Sequence, residues 1–199
     1  MNRGTLVALE GLDGSGKTTQ LPALVAALRA RGRDVVATRE PTDGAFGLRI
    51  RAMARSGELV APEEELRWFF EDRREHVEKV IAPALAAGRT LVTDRYYLST
   101  VAYQGARGLD WRAILAQSEG EFPQPDLAIV FELAAGQGLA RVRERYGVTA
   151  EPAFERVDYL ERVATIYAAI ERDYVVRIDA SGAEDVVRAA ALAALERLP

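Results

Sequence analysis

The sequence predicts an α/β fold, a five-stranded parallel sheet with helices on both of its faces. Short apolar runs of strand length alternate along the chain with segments whose apolar residues recur at helical spacing. A glycine-rich loop joins the first of these runs to the first helical segment. The chain has 199 residues, 49% hydrophobic and 28% charged, and no linker or repeat divides it. We therefore predict one domain over residues 1–199.

The predicted strands are short, mostly apolar runs bounded by glycine, proline or charged residues. In chain order they cover Thr5–Glu10, Asp34–Thr38, Thr90–Asp94, Leu127–Phe131 and Val175–Asp179. Such runs are typical of strands that are buried on both faces, as they are in parallel sheets.

The predicted helices fill the intervals between the strands. They cover Thr18–Arg31, Leu48–Arg55, Pro62–Ala87, Leu98–Tyr103, Trp111–Glu119, Gly138–Arg145, Val157–Glu171 and Ala183–Leu198. Pro62 followed by three glutamates is typical of a helix start. We expect this long helix to bend at Pro83, because proline lacks the backbone N–H that the helical ladder needs. A breaker segment is predicted over Tyr146–Pro152.

The loop after the first strand matches the pattern G-x-x-x-x-G-K-[ST]. Its residues are Gly11, Leu12, Asp13, Gly14, Ser15, Gly16, Lys17 and Thr18, and Thr19 follows. Glycines let such a loop turn its N–H groups toward phosphate oxygens, and the following helix adds its positive end. We expect Lys17 to reach the β- and γ-phosphates of a nucleoside triphosphate and the Thr18 hydroxyl to bind Mg²⁺. The alternative is a glycine-rich turn between core elements.

Three charged residues stand at the ends of predicted strands. Asp94 ends the third strand, the position of an acid that assists Mg²⁺ in nucleotide-binding proteins with such a loop. The alternative is that Asp94 caps the next helix. Arg39 and Arg95 follow the second and third strands, and ligands of open parallel sheets bind beyond those ends. The two arginines therefore indicate a second anion site, although each alone could be a surface residue. Asp13 either forms the turn or accepts a hydrogen bond from a hydroxyl of the second substrate.

The predicted helix from Pro62 carries an arginine on its apolar face. Arg73 lies four residues after Phe69, where a core helix would have leucine, and a buried charge needs a partner. The two side chains could stack on a planar base and hydrogen-bond to it, or Arg73 could form an internal salt bridge. His76, the only histidine, lies in a charged run, and we expect a solvated or capping role rather than catalysis.

Arg141, Arg143 and Arg145 precede the breaker segment. Arginines on a movable segment could close over the triphosphate and neutralise charge during phosphoryl transfer. We therefore predict a lid over residues 141–156, although Arg143 lies off the helix face that the other two share, and a solvated basic face is the alternative.

Composition limits the remaining classes of function. The net charge of −4 does not favour general attraction to nucleic acid or to membranes, and no long apolar span is visible. The chain has no cysteine, which excludes disulfides and thiolate metal sites and suits a cytoplasmic location.

Taken together, these motifs resemble those of the bacterial thymidylate kinases. The resemblance covers essentially the whole chain and includes four motifs in order: residues 9–20 around the glycine-rich loop, Thr38-Arg39-Glu40-Pro41, Asp94-Arg95-Tyr96, and residues 99–105. It implies a sheet in the order 2-3-1-4-5 and ATP- and Mg²⁺-dependent conversion of dTMP to dTDP, usually by a homodimer.

The resemblance also implies roles for single residues. Arg39 and Arg95 would hold the dTMP phosphate, and Asp13 would contact the 3′-hydroxyl. Phe69 would stack on thymine, Arg73 would bond its O4 edge, and Thr100 and Gln104 would line the nucleoside site. Tyr103 would lie near C2′ and disfavour ribose. Because position 14 is glycine, the catalytic arginine would come from the lid.

Two segments depart from the common pattern of these kinases. No arginine lies between Arg145 and Arg156 in the lid, and Thr42-Asp43-Gly44 replaces a commoner Gly-Gly-Thr. Two alternatives therefore stay open: a kinase for another nucleotide or nucleoside, and a nucleotide-binding regulatory protein with weak turnover. A GTPase is disfavoured, because no Asn-Lys-x-Asp motif occurs.

Overall fold

A computed structural model describes residues 3–146 and 157–198. Its five strands are β1 (Thr5–Gly11), β2 (Val35–Arg39), β3 (Thr90–Asp94), β4 (Leu127–Glu132) and β5 (Val175–Asp179). All four pairings are parallel, and the sheet order is β2-β3-β1-β4-β5. The predicted α/β class and the order 2-3-1-4-5 are therefore confirmed.

The helices lie close to their predicted positions. They are α1 (Lys17–Ala30), α2 (Ala45–Ser56), α3 (Pro62–His76), α4 (Ala82–Ala86), α5 (Tyr97–Ala106), α6 (Trp111–Glu121), α7 (Ala135–Tyr146), α8 (Val157–Ala169) and α9 (Glu184–Ala194). The segment between α3 and α4, Val77–Ile81, is a π-helical turn. This widened turn ends two residues before Pro83, which has no N–H to continue the α-helical ladder.

Alternate residues of the central strands feed two cores, one on each face of the sheet. Leu6 and Ala8 of β1 join a core built with α4, α5, α6 and α8. Val7 and Leu9 point the other way and pack with residues of α1 and α9. This alternation follows from the two-residue period of a strand, and it confirms that helices cover both faces.

Parallel pairing brings the carboxyl ends of the strands to one edge of the sheet. In the register, Asp94 pairs with Leu9 of β1 and with Arg39 of β2. Two further backbone hydrogen bonds extend this pairing. The N–H of Glu40 donates to the Asp94 carbonyl at 3.0 Å, and the N–H of Arg95 donates to the Leu9 carbonyl at 2.8 Å. The motif residues that follow β1, β2 and β3 are therefore neighbours in space.

Candidate active site

The glycine-rich loop between β1 and α1 forms an open cradle. Gly14 and Gly16 have φ angles of 79° and 94°, in the left-handed region that favours glycine. Gly16 is also the N-cap of α1, and no side chain caps this helix. Among the described residues, the N–H groups of Lys17 and Thr18 therefore stay available to an anion, in the arrangement by which helix N-termini bind phosphate.

Lys17 is folded back onto this loop. Its ammonium group donates to the carbonyls of Gly11 at 3.0 Å and Leu12 at 2.7 Å, and the residue is 5% exposed. Burial and the nearby Arg95 charge lower the pKa of Lys17 to about 8, although Asp13 and Asp94 act in the opposite direction. A triphosphate in the cradle would add negative charge beside this ammonium group and favour its protonated form.

Thr18 and Asp94 meet at the carboxyl end of β3. The Thr18 hydroxyl donates to Asp94 Oδ2 at 2.7 Å, and Asp94 is 9% exposed. Asp94 does not cap the following helix, because the N-cap of α5 is Tyr96 and no side chain caps it. The helix-capping alternative for Asp94 is therefore wrong.

This pair of oxygens suits Mg²⁺. Mg²⁺ prefers hard oxygen ligands and keeps several waters, so it needs few protein groups when a triphosphate supplies other ligands. Within the described ranges there is no cluster of three or more acidic, histidine or cysteine side chains that could form an all-protein metal cage. A hydroxyl and a carboxylate beside a phosphate cradle are the donor set that a nucleotide-bound Mg²⁺ requires.

Arg95 lies across the mouth of the loop in a left-handed backbone conformation, with φ of 71°. Its guanidinium group donates to Asp13 Oδ1 at 2.6 Å and to Ser99 Oγ at 2.9 Å. The side chain is only 17% exposed, whereas that of Asp13 is 57% exposed. Desolvation in the cleft raises the pKa of Asp13, but the charges of Arg95 and Lys17 outweigh it and lower that pKa to about 2. Asp13 is therefore an ionised acceptor at the cleft surface.

Arg39 stands on the other side of Asp94. Its side chain is 64% exposed and contacts Asp43 at 3.1 Å, so it is loosely held compared with Arg95. The glycine-rich loop and both arginines nevertheless line one cavity of about 780 Å³. The structure thus brings the two predicted anion sites together in a single cleft.

Arg73 is buried and its charge is compensated within the protein. It donates to Glu40 Oε2 through Nε at 3.0 Å and Nη2 at 2.7 Å, and Nη2 also reaches Thr100 Oγ1 at 2.9 Å. Its guanidinium carbon lies 5.3 Å from the ring centroid of Tyr96 and 5.4 Å from that of Phe122. The internal salt bridge considered as an alternative is therefore present. One nitrogen, Nη1, has no hydrogen-bond partner in the described part of the chain.

His76 is not solvated, so the expectation of a solvated or capping role is wrong. The residue is 3% exposed, and its ring nitrogens contact Glu40 Oε1 and Thr38 Oγ1, each at 2.9 Å. The charged neighbours of His76 in the sequence suggested an exposed side chain, but the ring contacts Thr38 of β2 instead. His76 thereby ties the Glu40 carboxylate to the end of β2.

The other predicted nucleoside residues are spread around α5 and α3. Tyr103 donates to Asp13 Oδ2 at 3.3 Å, and Gln104 donates to Glu65 Oε1 at 3.0 Å. Thr100 accepts from Arg73, as described above. Phe69 is half-buried and packs against a small core cluster of Ile50, Met53 and Trp68. The structure groups Thr100, Gln104 and Arg73, and it places Phe69 one helical turn away from Arg73.

The predicted lid is only partly described. Arg141 donates to the carbonyl of Ala180 at 3.0 Å and, at 3.4 Å, to that of Gly14, so it bridges the loop after β5 and the glycine-rich loop. Arg143 is half-buried on the same helix. The Arg145 side chain, residues 147–156 and most of the breaker segment lie outside the described residues.

The sequence interpretation missed several carboxylates and the far side of the cavity. Glu40 and Glu65 hold Arg73 and Gln104, and fully buried Glu10 accepts from the Tyr96 N–H at 3.0 Å and from the Tyr167 hydroxyl at 3.1 Å. A glutamate within an apolar strand was the available signal for Glu10. Burial raises the pKa of Glu10 to about 7, against the lowering effects of the Ser99 hydrogen bond and the Arg95 charge.

The far side of the cavity is formed by the turn after β5. Its lining residues there are Ala180, Gly182, Glu184 and Val187. This stretch carries no sequence motif, so only the fold reveals it. Separately, none of the described helices is both long and apolar enough to cross a membrane.

Comparison with known proteins places these features in a family. The sequence model described as thymidylate kinase matches residues 9–191. A thymidylate kinase of Desulfotalea psychrophila is 42% identical over 187 residues, which are 94% of this chain and 92% of that protein. A thymidylate kinase of Xanthomonas campestris is 45% identical over 184 residues, 92% of this chain and 79% of the relative. A thymidylate kinase of Xanthomonas oryzae is 44% identical over 184 residues, which are 92% of this chain and 79% of that protein.

Proposed function

The chain belongs to the thymidylate kinase family, so it phosphorylates dTMP to dTDP with ATP, and we propose how its residues divide that reaction. One observation carries the proposal: the phosphate cradle and the two arginines line one cavity, on either side of Asp94. In-line transfer needs a donor and an acceptor phosphate end to end, and this cleft offers a cationic or N–H-rich surface to each.

On the donor side, the loop from Gly11 to Thr19 holds the ATP phosphates. Its N–H groups, including those of Leu12, Ser15 and Gly16, surround the phosphate oxygens, and Lys17 exchanges its carbonyl contacts for the β- and γ-phosphates. Thr18 and Asp94 would hold Mg²⁺, which thymidylate kinases generally use with ATP. When bound, the ion neutralises charge on the β- and γ-phosphates.

The adenine end of ATP occupies the far side of the cavity. Support comes from the cavity lining, which continues from the loop to Arg141 and the turn Ala180–Gly182. Arg141 bridges these two walls through backbone carbonyls, so its planar group lies where a base would stack. We propose this binding role for Arg141 and leave charge neutralisation to Arg143 and Arg145 of the lid.

On the acceptor side, Arg39 and Arg95 hold the dTMP phosphate. Arg95 is pre-positioned by Ser99 and Asp13, whereas the exposed Arg39 is free to close on the ligand from the β2 side. The ionised Asp13 accepts from the 3′-hydroxyl, and Tyr103, in contact with Asp13, disfavours a ribose at C2′.

The base lies against Phe69, Arg73, Thr100 and Gln104. Two buried atoms support this placement, since Arg73 Nη1 and Gln104 Oε1 have no partner among the described residues. Buried polar groups are rarely left unpaired, so a ligand that supplies an acceptor and a donor would satisfy both. The O4 and N3–H of thymine are such a pair.

Four broader features stay predictions. A lid over residues 141–156 would exclude water and so limit ATP hydrolysis. The homodimer and the cytoplasmic location rest on the resemblance and on composition. The domain assignment of residues 1–199 likewise remains our proposal.

The chemistry requires positioning and charge neutralisation rather than a general base. A phosphate monoester is largely dianionic near neutral pH, so its oxygen can attack the γ-phosphorus without losing a proton. Holding the two phosphates in line supplies most of the rate enhancement, and cationic groups stabilise the transferring phosphoryl group.

A coupled assay of ADP release tests the proposal directly. The reaction contains ATP and Mg²⁺ with dTMP, dUMP, dCMP, UMP, thymidine or no acceptor. We expect strong turnover only with dTMP and weaker turnover with dUMP, which has the same hydrogen-bonding edge. Preference for another acceptor would favour a different kinase, and binding of ATP and dTMP without turnover would favour a regulatory protein.

A further inference from the structure

Gln104 is held by a carboxylate that lies outside the nucleoside site. Gln104 is fully buried on α5, and its amide nitrogen donates to Glu65 Oε1 at 3.0 Å. Glu65, on the first turn of α3, is 1% exposed. The amide of Gln104 is therefore fixed by one neighbour that cannot move into solvent.

The identity of that neighbour decides which way the amide faces. An ionised carboxylate only accepts hydrogen bonds, so the NH₂ group of Gln104 must face Glu65 and its oxygen must face away. Arg107 holds Glu65 in place, because it forms an ion pair with the other carboxylate oxygen and also donates to the Val60 carbonyl at 2.8 Å. This assignment of the amide follows from hydrogen-bond chemistry alone.

Gln104 lies on the same face of α5 as Thr100, the residue that contacts Arg73. Gln104 and Thr100 are one helical turn apart, and Thr100 Oγ1 accepts from Arg73 Nη2 at 2.9 Å. In the described part of the chain neither Gln104 Oε1 nor Arg73 Nη1 has a partner. The protein therefore offers one unpaired acceptor and one unpaired donor on neighbouring positions.

This donor–acceptor pair discriminates between pyrimidines. Thymine and uracil present a carbonyl oxygen at position 4 and an N–H at position 3, which match Arg73 and Gln104 Oε1. Cytosine presents an amino group and an unprotonated nitrogen at those positions, so both contacts would be mismatched. A site that leaves buried polar groups unpaired rejects the wrong ligand strongly.

We propose that Glu65, anchored by Arg107, is a positioning residue that sets selectivity for thymine over cytosine by fixing the Gln104 amide. The inference rests on the proposed placement of the base at Arg73 and Gln104. A glutamine at position 65 offers an oxygen as well as an NH₂ group, so it would let the Gln104 amide turn over and present a donor to the base.

The test measures kcat/KM for dTMP and dCMP in a double-mutant cycle of Glu65→Gln and Gln104→Met. Glu65→Gln is expected to lower kcat/KM for dTMP roughly 10- to 100-fold and the dTMP:dCMP ratio at least about tenfold. In the Gln104→Met background, the same substitution is expected to leave the ratio unchanged, because the amide through which it acts is gone. Glu63→Gln, an exposed change on the same turn of α3, is the matched control.

Two results would overturn the inference. One is an unchanged dTMP:dCMP ratio in Glu65→Gln, and the other is an equal change of that ratio with and without Gln104. If Glu65→Gln does not fold, Arg107→Gln in the same two backgrounds replaces it, with a smaller shift expected in the same direction. Wild-type turnover of dTMP is measured alongside. Its absence would contradict the proposed function, whereas normal turnover with either of the two results above would contradict this inference alone.

Discussion

Replacing Glu40 with glutamine breaks the buried ion pair behind the base site. The side chains of Glu40 and Arg73 are 3% and 1% exposed, and Glu40 accepts two hydrogen bonds from Arg73 at 2.7 and 3.0 Å. Removing one partner of such a pair leaves an uncompensated buried charge, which typically costs 3–5 kcal/mol. We expect about 3 kcal/mol, because Asp72 still acts on the Arg73 charge. For a chain of this size, that is a fall in Tm of about 6–12 °C.

The assay is urea unfolding at neutral pH, followed by circular dichroism. Glu75→Gln is the control, because it breaks a more exposed pair with Lys79 and should cost at most about 1 kcal/mol. A loss below about 1 kcal/mol for Glu40→Gln would refute the reasoning, since Arg73 would then need no internal counter-charge.

The same pair makes stability depend on pH. Burial alone would raise the pKa of Glu40, but the Arg73 charge and the His76 hydrogen bond together lower it below its ordinary value of 4.5. The stabilisation from Glu40 is therefore present above that value and is lost as pH falls through the folded pKa. Glu40→Gln should remove this component, so the difference between wild type and variant should shrink in acid.

Three further predictions concern the loop and the sheet edge. Asp94→Asn should raise the Mg²⁺ concentration needed for half-maximal turnover several-fold, as a magnesium titration would show, while an unchanged titration would exclude Asp94 from the metal site. The pKa of Glu10 in the folded protein, about 7, lies above the ordinary value of 4.5, so the folded state favours the protonated carboxyl. This contribution to stability is present below the ordinary pKa and is lost as pH rises from there through the folded pKa. Glu10→Gln should remove about 3 kcal/mol of that pH dependence from unfolding curves, and parallel curves would contradict it. Gly138→Ala should raise KM for ATP, because the added carbon would lie 2.6 Å from the Asp13 carbonyl of the loop; unchanged KM would show that α7 can shift freely.

The features that sequence predicted well are those that depend on neighbouring residues. Apolar runs marked β3 and β5 at their observed bounds, and the glycine pattern before Lys17 identified a turn whose backbone angles require it. The position of Asp94 beside the loop followed from the strand order that the resemblance implied, since parallel strands end at one edge.

The features that sequence left open depend on contacts between distant parts of the chain. Arg73 could be seen to need a partner, but Glu40 lies 33 residues before it and is brought there by the pairing of β2 with β3. His76 looked solvated because its neighbours in sequence are charged, whereas its side chain is buried in contact with Thr38 and Glu40. Glu65 and Gln104, 39 residues apart, carry no joint signal in the sequence.

The central claim is that Arg95 holds the acceptor phosphate opposite the triphosphate cradle. The most direct measurement is kcat/KM for dTMP in Arg95→Ala, with the Kd for ATP measured by calorimetry on the same preparation. We expect kcat/KM to fall at least about 100-fold, or about 3 kcal/mol, with ATP affinity changed only slightly. Unchanged dTMP kinetics, or a loss of ATP binding as large as the loss of turnover, would contradict the account.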